Sequence, residues 1–257
     1  MRFGCCADIR DAGLLHEAGF DFIECTVTSL VPERDEDFPE ILQLYQESPL
    51  PVEVCNIFLP GTLKITGENV DQAAIKQYLE KALPRVKQIG VDTIVFGSGG
   101  ARSLPEGFSR HKGEPQIIEF LHLAADYAEP LGLTIVIEPL NREESNIINS
   151  IPEAVQFAKK VNRKSIQVLA DFYHMEEEKE QLDHLVTYKD YIRHVHVADT
   201  DRQAPGKGSY PYPEFNRSLN LAQYNGRISI ESKWNDFEQE LADARRFLAQ
   251  SLSVSVN

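Results

Sequence analysis

Basic residues are scarce in this chain. Its 26 Lys and Arg stand against 40 Asp and Glu, a formal net charge of −14 at pH 7. A surface so acidic repels a phosphate backbone, which excludes nucleic acid as the expected partner. It favours a protein that stays in solution without sticking. No apolar run approaches the roughly 20 residues of a membrane-crossing helix, so no membrane partner is expected. The opening stretch MRFGCCADIR lacks the long apolar segment of a secretory signal. Cysteine is sparse: Cys5, Cys6, Cys25 and Cys55 have neither zinc-finger nor redox spacing. Lying in apolar, strand-like segments, they read as buried thiols of a reducing cytoplasm. A Gly-rich phosphate loop after the first strand is also missing, since CCADIRDAG stands in its place.

What the sequence does have is a rhythm. Short β-rich runs fall at 2–7, 21–27, 52–58, 92–98, 134–140, 165–171, 192–198 and 227–232. Helical patterns lie between and after them, at about 10–18, 35–47, 71–89, 114–130, 152–162, 176–190, 213–224 and 236–252. Gly19, Gly90 and Gly132 stand between a helix and the next strand, where glycine ends helices at little cost. Pro84 should kink or interrupt the third helix. A βα unit repeated eight times in about 250 residues predicts an α/β fold, a (β/α)8 TIM barrel, with residues 1–257 as one domain. A doubly wound open sheet is the alternative.

Barrels of this kind carry their chemistry at the C-terminal ends of the strands. The fifth run, TIVIE, ends at Glu138, and the sixth, IQVLAD, at Asp171. The seventh reaches His196 and the eighth, RISIE, reaches Glu231. Any one of these alone would be an ordinary polar strand end facing a loop. Four at one relative height on four consecutive strands predict a site for a divalent cation. Two Glu, one Asp and one His make a hard, mostly oxygen donor set suited to Mn²⁺, Mg²⁺ or Co²⁺, and Zn²⁺ also fits. The flanking Ile137, Ala170, Val195, Val197 and Ile230 should face the helices. In the stretch His194-Val-His-Val, the period of two puts both imidazoles on one face. His194 then lies one layer deeper than His196, either bonding a neighbouring carboxylate behind the site or filling a polar core position.

The strings Glu138-Pro-Leu-Asn-Arg-Glu-Glu144, Ala170-Asp-Phe-Tyr-His-Met175, His194-Val-His-Val-Ala-Asp-Thr-Asp-Arg202, Pro205-Gly-Lys-Gly208 and Ile230-Glu-Ser232 resemble the xylose-isomerase-like sugar isomerase/epimerase superfamily, the AP endonuclease 2-type family. The likeness spans about 134–232 and is greatest to the ketose 3-epimerases and hydroxypyruvate isomerases. It implies that Glu138 and Glu231 are ligands and proton carriers, with Asp171 and His196 completing the metal site. It implies that Glu144, His174 and Arg202 bind the sugar. Asp199-Thr-Asp and Trp234 depart from the ketose-epimerase pattern.

The expected activity is therefore a divalent-metal-dependent isomerisation or epimerisation, with Mn²⁺ as the leading ion. It would move a proton next to a carbonyl through an enediolate, on a small ketose or related keto-polyol. The resemblance also implies a homo-oligomer, a dimer or tetramer. A dehydratase or lyase on the same barrel, an endonuclease IV-type metal hydrolase and a sugar sensor are the alternatives. Of the remaining features, Gly97-Ser-Gly-Gly100 reads as an ordinary βα loop ahead of a phosphate cradle. Glu176–Glu180 reads as the solvated start of a helix. Glu24 reads equally as a mouth residue or a polar barrel-layer residue.

Overall fold

Each of the eight β-rich runs forms a strand, shorter than predicted because the pairing stops where the chain turns into a loop. The strands are β1 (Arg2–Cys6), β2 (Phe22–Thr26), β3 (Val52–Asn56), β4 (Thr93–Phe96), β5 (Thr134–Ile137), β6 (Ile166–Asp171), β7 (Ile192–Val197) and β8 (Arg227–Ile230). In this computed structural model, which describes residues 1–252, they pair in parallel in sequence order. β8 returns to β1, through Phe3 opposite Ile228 and Cys5 opposite Ile230, and closes the barrel. The fold is the predicted TIM barrel.

The period of two sorts the side chains. Ile137, Ala170, Val195, Val197 and Ile230 point outward into the main apolar core, against the helices. Phe22, Val54, Val95, Val136 and Leu169 form a separate small cluster inside the barrel. Gly4 shares that layer, and a methyl group there would sit 2.3 Å from the Phe22 ring. Two residues further along each strand comes a second inward layer at the C-terminal mouth, and it is almost wholly polar. It consists of Cys6, Glu24, Asn56, Gly97, Glu138, Asp171, His196 and Glu231.

The helices are α1 (Ala12–Glu17), α2 (Phe38–Gln46), α3 (Gln72–Gln88), α4 (Gly99–Arg102), α5 (Arg110–Ala128), α6 (Ile151–Val161), α7 (Phe172–Glu177), α8 (His184–Thr187), α9 (Tyr212–Leu221) and α10 (Phe237–Ser251). Two expectations change here. Of the kink or interruption expected at Pro84, the interruption does not occur: α3 continues through it, with Ile75, Leu79, Leu83 and Val86 of both halves buried. The helix expected over 176–190 is two short ones, α7 and α8. Asp171 caps α7 directly off the end of β6, accepting from the N–H groups of Tyr173 and His174. A left-handed Lys179 (φ 52°) follows just after its end.

The acidic run 176–180 is correspondingly not a solvated helix start. Glu178 accepts the N–H of Arg142, Glu177 accepts the Tyr210 hydroxyl, and Glu180 accepts the N–H of Ile151 and pairs with His184. Among the cysteines, Cys5, Cys25 and Cys55 are buried free thiols as expected. Burial pushes the Cys25 thiol up to about 12. Cys6 is only partly buried, at the mouth.

Candidate active site

Three carboxylates and one imidazole converge at the mouth. Glu138 and Glu231 lie one residue past the ends of β5 and β8, Asp171 is the last residue of β6, and His196 is the penultimate residue of β7. Nδ1 of His196 lies 3.2 Å from Glu138 Oε1, 3.6 Å from Glu231 Oε2 and 3.9 Å from Asp171 Oδ2. One donor atom from each of the four residues falls within 4.8 Å of all the others. A divalent ion bonded at about 2.0–2.3 Å sets adjacent donors about 3–3.7 Å apart, so this donor set fits one cation. Asp171 is pre-aimed: its Oδ1 caps α7, leaving Oδ2 for the cluster.

Glu24 sets the orientation of the histidine. It is fully buried, and Oε1 accepts from His196 Nε2 at 2.9 Å while Oε2 accepts from His194 Nε2 at 2.8 Å. With Nε2 donating to Glu24, His196 points Nδ1 at the three carboxylates, the nitrogen that would bind a cation there. Burial alone would raise the Glu24 carboxyl, but the two imidazoles outweigh it and hold this acid well below the usual carboxylate range. His194 thus bonds a carboxylate behind the site, the first of its two predicted roles. Burial lowers its own pKa.

The two glutamates are not equivalent. Burial raises Glu138, and repulsion from Glu231 and Asp171 adds to that. Glu231 feels the same burial, but His196 and Arg202 bring it down to about 2.

The residues expected around the substrate surround this cluster. Arg202 bonds Glu231 through Nη2 and Glu144 Oε1 at 2.8 Å through Nη1, and lies over the Tyr173 ring. His174 is buried, and its Nδ1 accepts the N–H of Asn141 at 3.0 Å, so the proton of the neutral ring sits on Nε2. That Nε2 has no hydrogen-bond partner and lies 3.8 Å from Asp171 Oδ2, on the edge of the cluster. Asp199 organises the loop before Arg202 and after it: its buried carboxylate accepts from the N–H groups of Thr200, Gly206 and Tyr210.

Three contributors escape a sequence reading. Arg102 is completely buried and donates to the carbonyls of Phe96 and Glu138, fixing the backbone that carries Glu138. Gly97 leaves room for the same residue, since a Cβ there would lie 2.1 Å from Glu138 Oε2. The 97–100 loop therefore packs on the 138–144 loop. Asn56 at the end of β3 donates to Glu231 Oε1 at 3.1 Å. Only Asn56 carried a legible signal, as a polar residue two places after the inward Val54.

The profile described as xylose isomerase-like TIM barrel matches residues 12–251. The chain is 28% identical over 221 residues to a D-psicose 3-epimerase of Agrobacterium fabrum (strain C58), covering 83% of this chain and 75% of that one. It is 27% identical over 226 residues to a 3-dehydro-D-guloside 4-epimerase of Escherichia coli (strain K12), covering 85% and 84%. The crystal structure of D-psicose 3-epimerase with D-tagatose from Clostridium cellulolyticum H10 superposes with a TM-score of 0.86 over 98% of this chain and all of that one, at 20% identity. That last likeness is one of fold. No helix among the described residues is long and apolar enough to cross a membrane.

Proposed function

The chain belongs to the xylose isomerase-like TIM barrel family, and from that membership and the geometry of the mouth we propose that it is a sugar epimerase that inverts a carbon next to the carbonyl of a keto-sugar. Glu138, Asp171, His196 and Glu231 would hold one divalent cation, with Mn²⁺ the leading candidate. The observation that carries this reading is the meeting of one imidazole nitrogen with three carboxylates from three other strands, at 3.2–3.9 Å. Bound there, the cation supplies Lewis-acid stabilisation of the negative charge that develops on the carbonyl oxygen.

The proton transfers belong to the chain's own residues. Inversion needs a carrier on each face of the substrate plane, and Glu138 and Glu231 come from β5 and β8. One glutamate removes the proton, leaving an enediolate, and the other delivers a proton to the opposite face. Their roles exchange in the reverse direction. Arg202 and the Nε2–H of His174 donate to substrate oxygens, and Glu144 holds Arg202 in position. An endonuclease IV-type hydrolysis, which needs more imidazole ligands, is disfavoured because His194 is engaged by Glu24 behind the site.

The direct test incubates the enzyme and Mn²⁺ with a panel of keto-sugars in D₂O and follows C–H exchange and epimer formation by NMR. Exchange at a carbon beside the carbonyl is expected. A panel that binds but never exchanges would turn the reading toward a sensor.

Two variants probe the supporting residues. Arg202→Ala should raise KM about tenfold or more, because a charge-assisted hydrogen bond to substrate is lost. Bound metal, measured by elemental analysis, should stay near one equivalent; a parallel loss would make Arg202 structural. Glu24→Gln should weaken metal binding about 10- to 100-fold, as expected for removing the acceptor that orients a ligating histidine. Calorimetric titration with Mn²⁺ measures this without reference to turnover, and unchanged affinity would reduce Glu24 to a filler of the barrel layer.

A further inference from the structure

The two oxygens of Glu231 have different surroundings. Oε2 belongs to the cluster: it accepts from Arg202 Nη2 and lies 3.6 Å from His196 Nδ1. Oε1 accepts instead from Asn56 Nδ2, at the end of β3, at 3.1 Å. Glu138 shows the same division. Its Oε1 lies 3.2 Å from His196 Nδ1, and its Oε2 lies against Gly97. Asn56, Gly97, Glu138 and Glu231 all line one cavity at the mouth, of about 240 Å³. A six-carbon sugar occupies on the order of 180 Å³, taking each carbon with its hydroxyl at about one water's share of about 30 Å³. The cavity between these residues therefore accommodates it.

Asn56 is committed to the Glu231 oxygen. It is buried, and its backbone is fixed: its carbonyl accepts the N–H of Val27 at 2.8 Å. Immediately after it comes Ile57 at φ 44°. This left-handed conformation is costly for a β-branched residue, and such strain collects at functional sites. The Asn56 Oδ1 is buried with no hydrogen-bond partner among the described residues. An unpaired buried carbonyl oxygen is destabilising. Turning the amide over would set Oδ1 against the Glu231 carboxylate, oxygen facing oxygen. The amide keeps the orientation that serves Glu231 and leaves its own oxygen unpaired.

We propose that Asn56 is the positioning residue for the proton-carrying oxygen of Glu231: its amide holds Oε1 at the substrate cavity and leaves Oε2 for the cation. This rests on the epimerase reading of the carboxylate cluster and adds which oxygen moves the proton and what aims it. In the step that Glu231 serves, the C–H proton passes to Oε1 and the C–H electron pair enters the enediolate. In the reverse step Oε1 returns the proton to the same face. The corresponding oxygen of Glu138 lies against Gly97 instead. Losing Asn56 should therefore disturb one face of the substrate and spare the other.

The test uses Mn²⁺-loaded enzyme in D₂O with each epimer of the pair that the keto-sugar panel identifies, D-psicose and D-fructose first. Asn56→Ala should lower kcat about 10- to 100-fold, as expected for losing a hydrogen bond to a charged group, with KM near its wild-type value. C–H exchange should fall for the epimer that Glu231→Gln also silences and persist for the other. Adding Asn56→Ala to Glu231→Gln should cost at most about twofold more, because the amide acts through that carboxylate. Asn56→Leu keeps the shape of the side chain without its N–H and should match Asn56→Ala. Wild-type rates in either Asn56 variant overturn the proposal and leave the epimerase reading standing. So do equal losses of exchange from both epimers, losses that multiply in the double variant, or a parallel loss of Mn²⁺ by elemental analysis. If the wild-type enzyme exchanges no member of the panel, the epimerase reading falls and this inference falls with it.

Discussion

Glu138→Gln and Glu231→Gln should each lower turnover about a hundredfold or more, the usual cost of removing a positioned acid or base. The amide keeps the size and one oxygen donor but cannot carry the proton. The two variants should fail differently. With one glutamate intact, a proton can still be removed from the face which that residue serves, and deuterium can return to the same face. One variant should therefore exchange the C–H of one epimer without inverting it, and the other variant should do so for the opposite epimer. NMR of each pure epimer in D₂O reads both outcomes, with metal content as the control because an amide is a weaker ligand. Full activity in both variants would make these glutamates ligands only. A dead variant paired with an unaffected one would indicate a single base on one face, as in an aldose–ketose isomerisation.

Treatment with a chelator should abolish activity, and Mn²⁺ should restore it. The physical reason is the charge at the mouth. Asp171, Glu138 and Glu231 converge with His196 between them, and among the described residues Arg202 is the only guanidinium that bonds one of these carboxylates. Burial alone would lower the His196 pKa, but the surrounding carboxylates raise it well above its ordinary value. A proton there compensates the cluster only partly, and a divalent ion replaces it with more charge. Binding to the folded chain alone also stabilises it. At an ion concentration a hundred times the dissociation constant the gain is about 2.7 kcal/mol. For a chain of this size that raises Tm by about 5–11 °C. Scanning calorimetry with and without Mn²⁺ measures the shift. Asp171→Asn should remove most of it, because Asp171 contributes a fixed oxygen from the end of β6. A chelated enzyme with unchanged activity and Tm would sink the metal site.

Much of this protein was legible in one dimension. Eight β-rich runs separated by helical patterns point to a parallel α/β fold, because a parallel strand needs a long crossover, and a count of eight favours a barrel over an open sheet; the pairing of β8 with β1 then closes it. The period of two then determines which side chains look inward. Reading two places beyond Val54, Val136, Leu169 and His194 reaches Asn56, Glu138, Asp171 and His196. The cluster could be named in advance because each of its members ends an apolar run. Helix extents were less legible where a site residue intervened: Asp171 caps α7 and so starts a helix at the strand end, which propensity alone does not reveal.

Only the tertiary structure decided what crosses the barrel. Glu24 and His196 are 172 residues apart and belong to β2 and β7, which are not paired strands. They meet through the lumen, where no local pattern and no strand register specifies a partner. The same holds for Arg102, whose guanidinium reaches the Glu138 carbonyl, and for Gly97, whose missing side chain makes room for the Glu138 carboxylate. The inequivalence of Glu138 and Glu231 is likewise a matter of which charges and how much protein surround each one. A strand sequence fixes the direction in which a side chain points; what it meets there depends on the closure of the whole barrel.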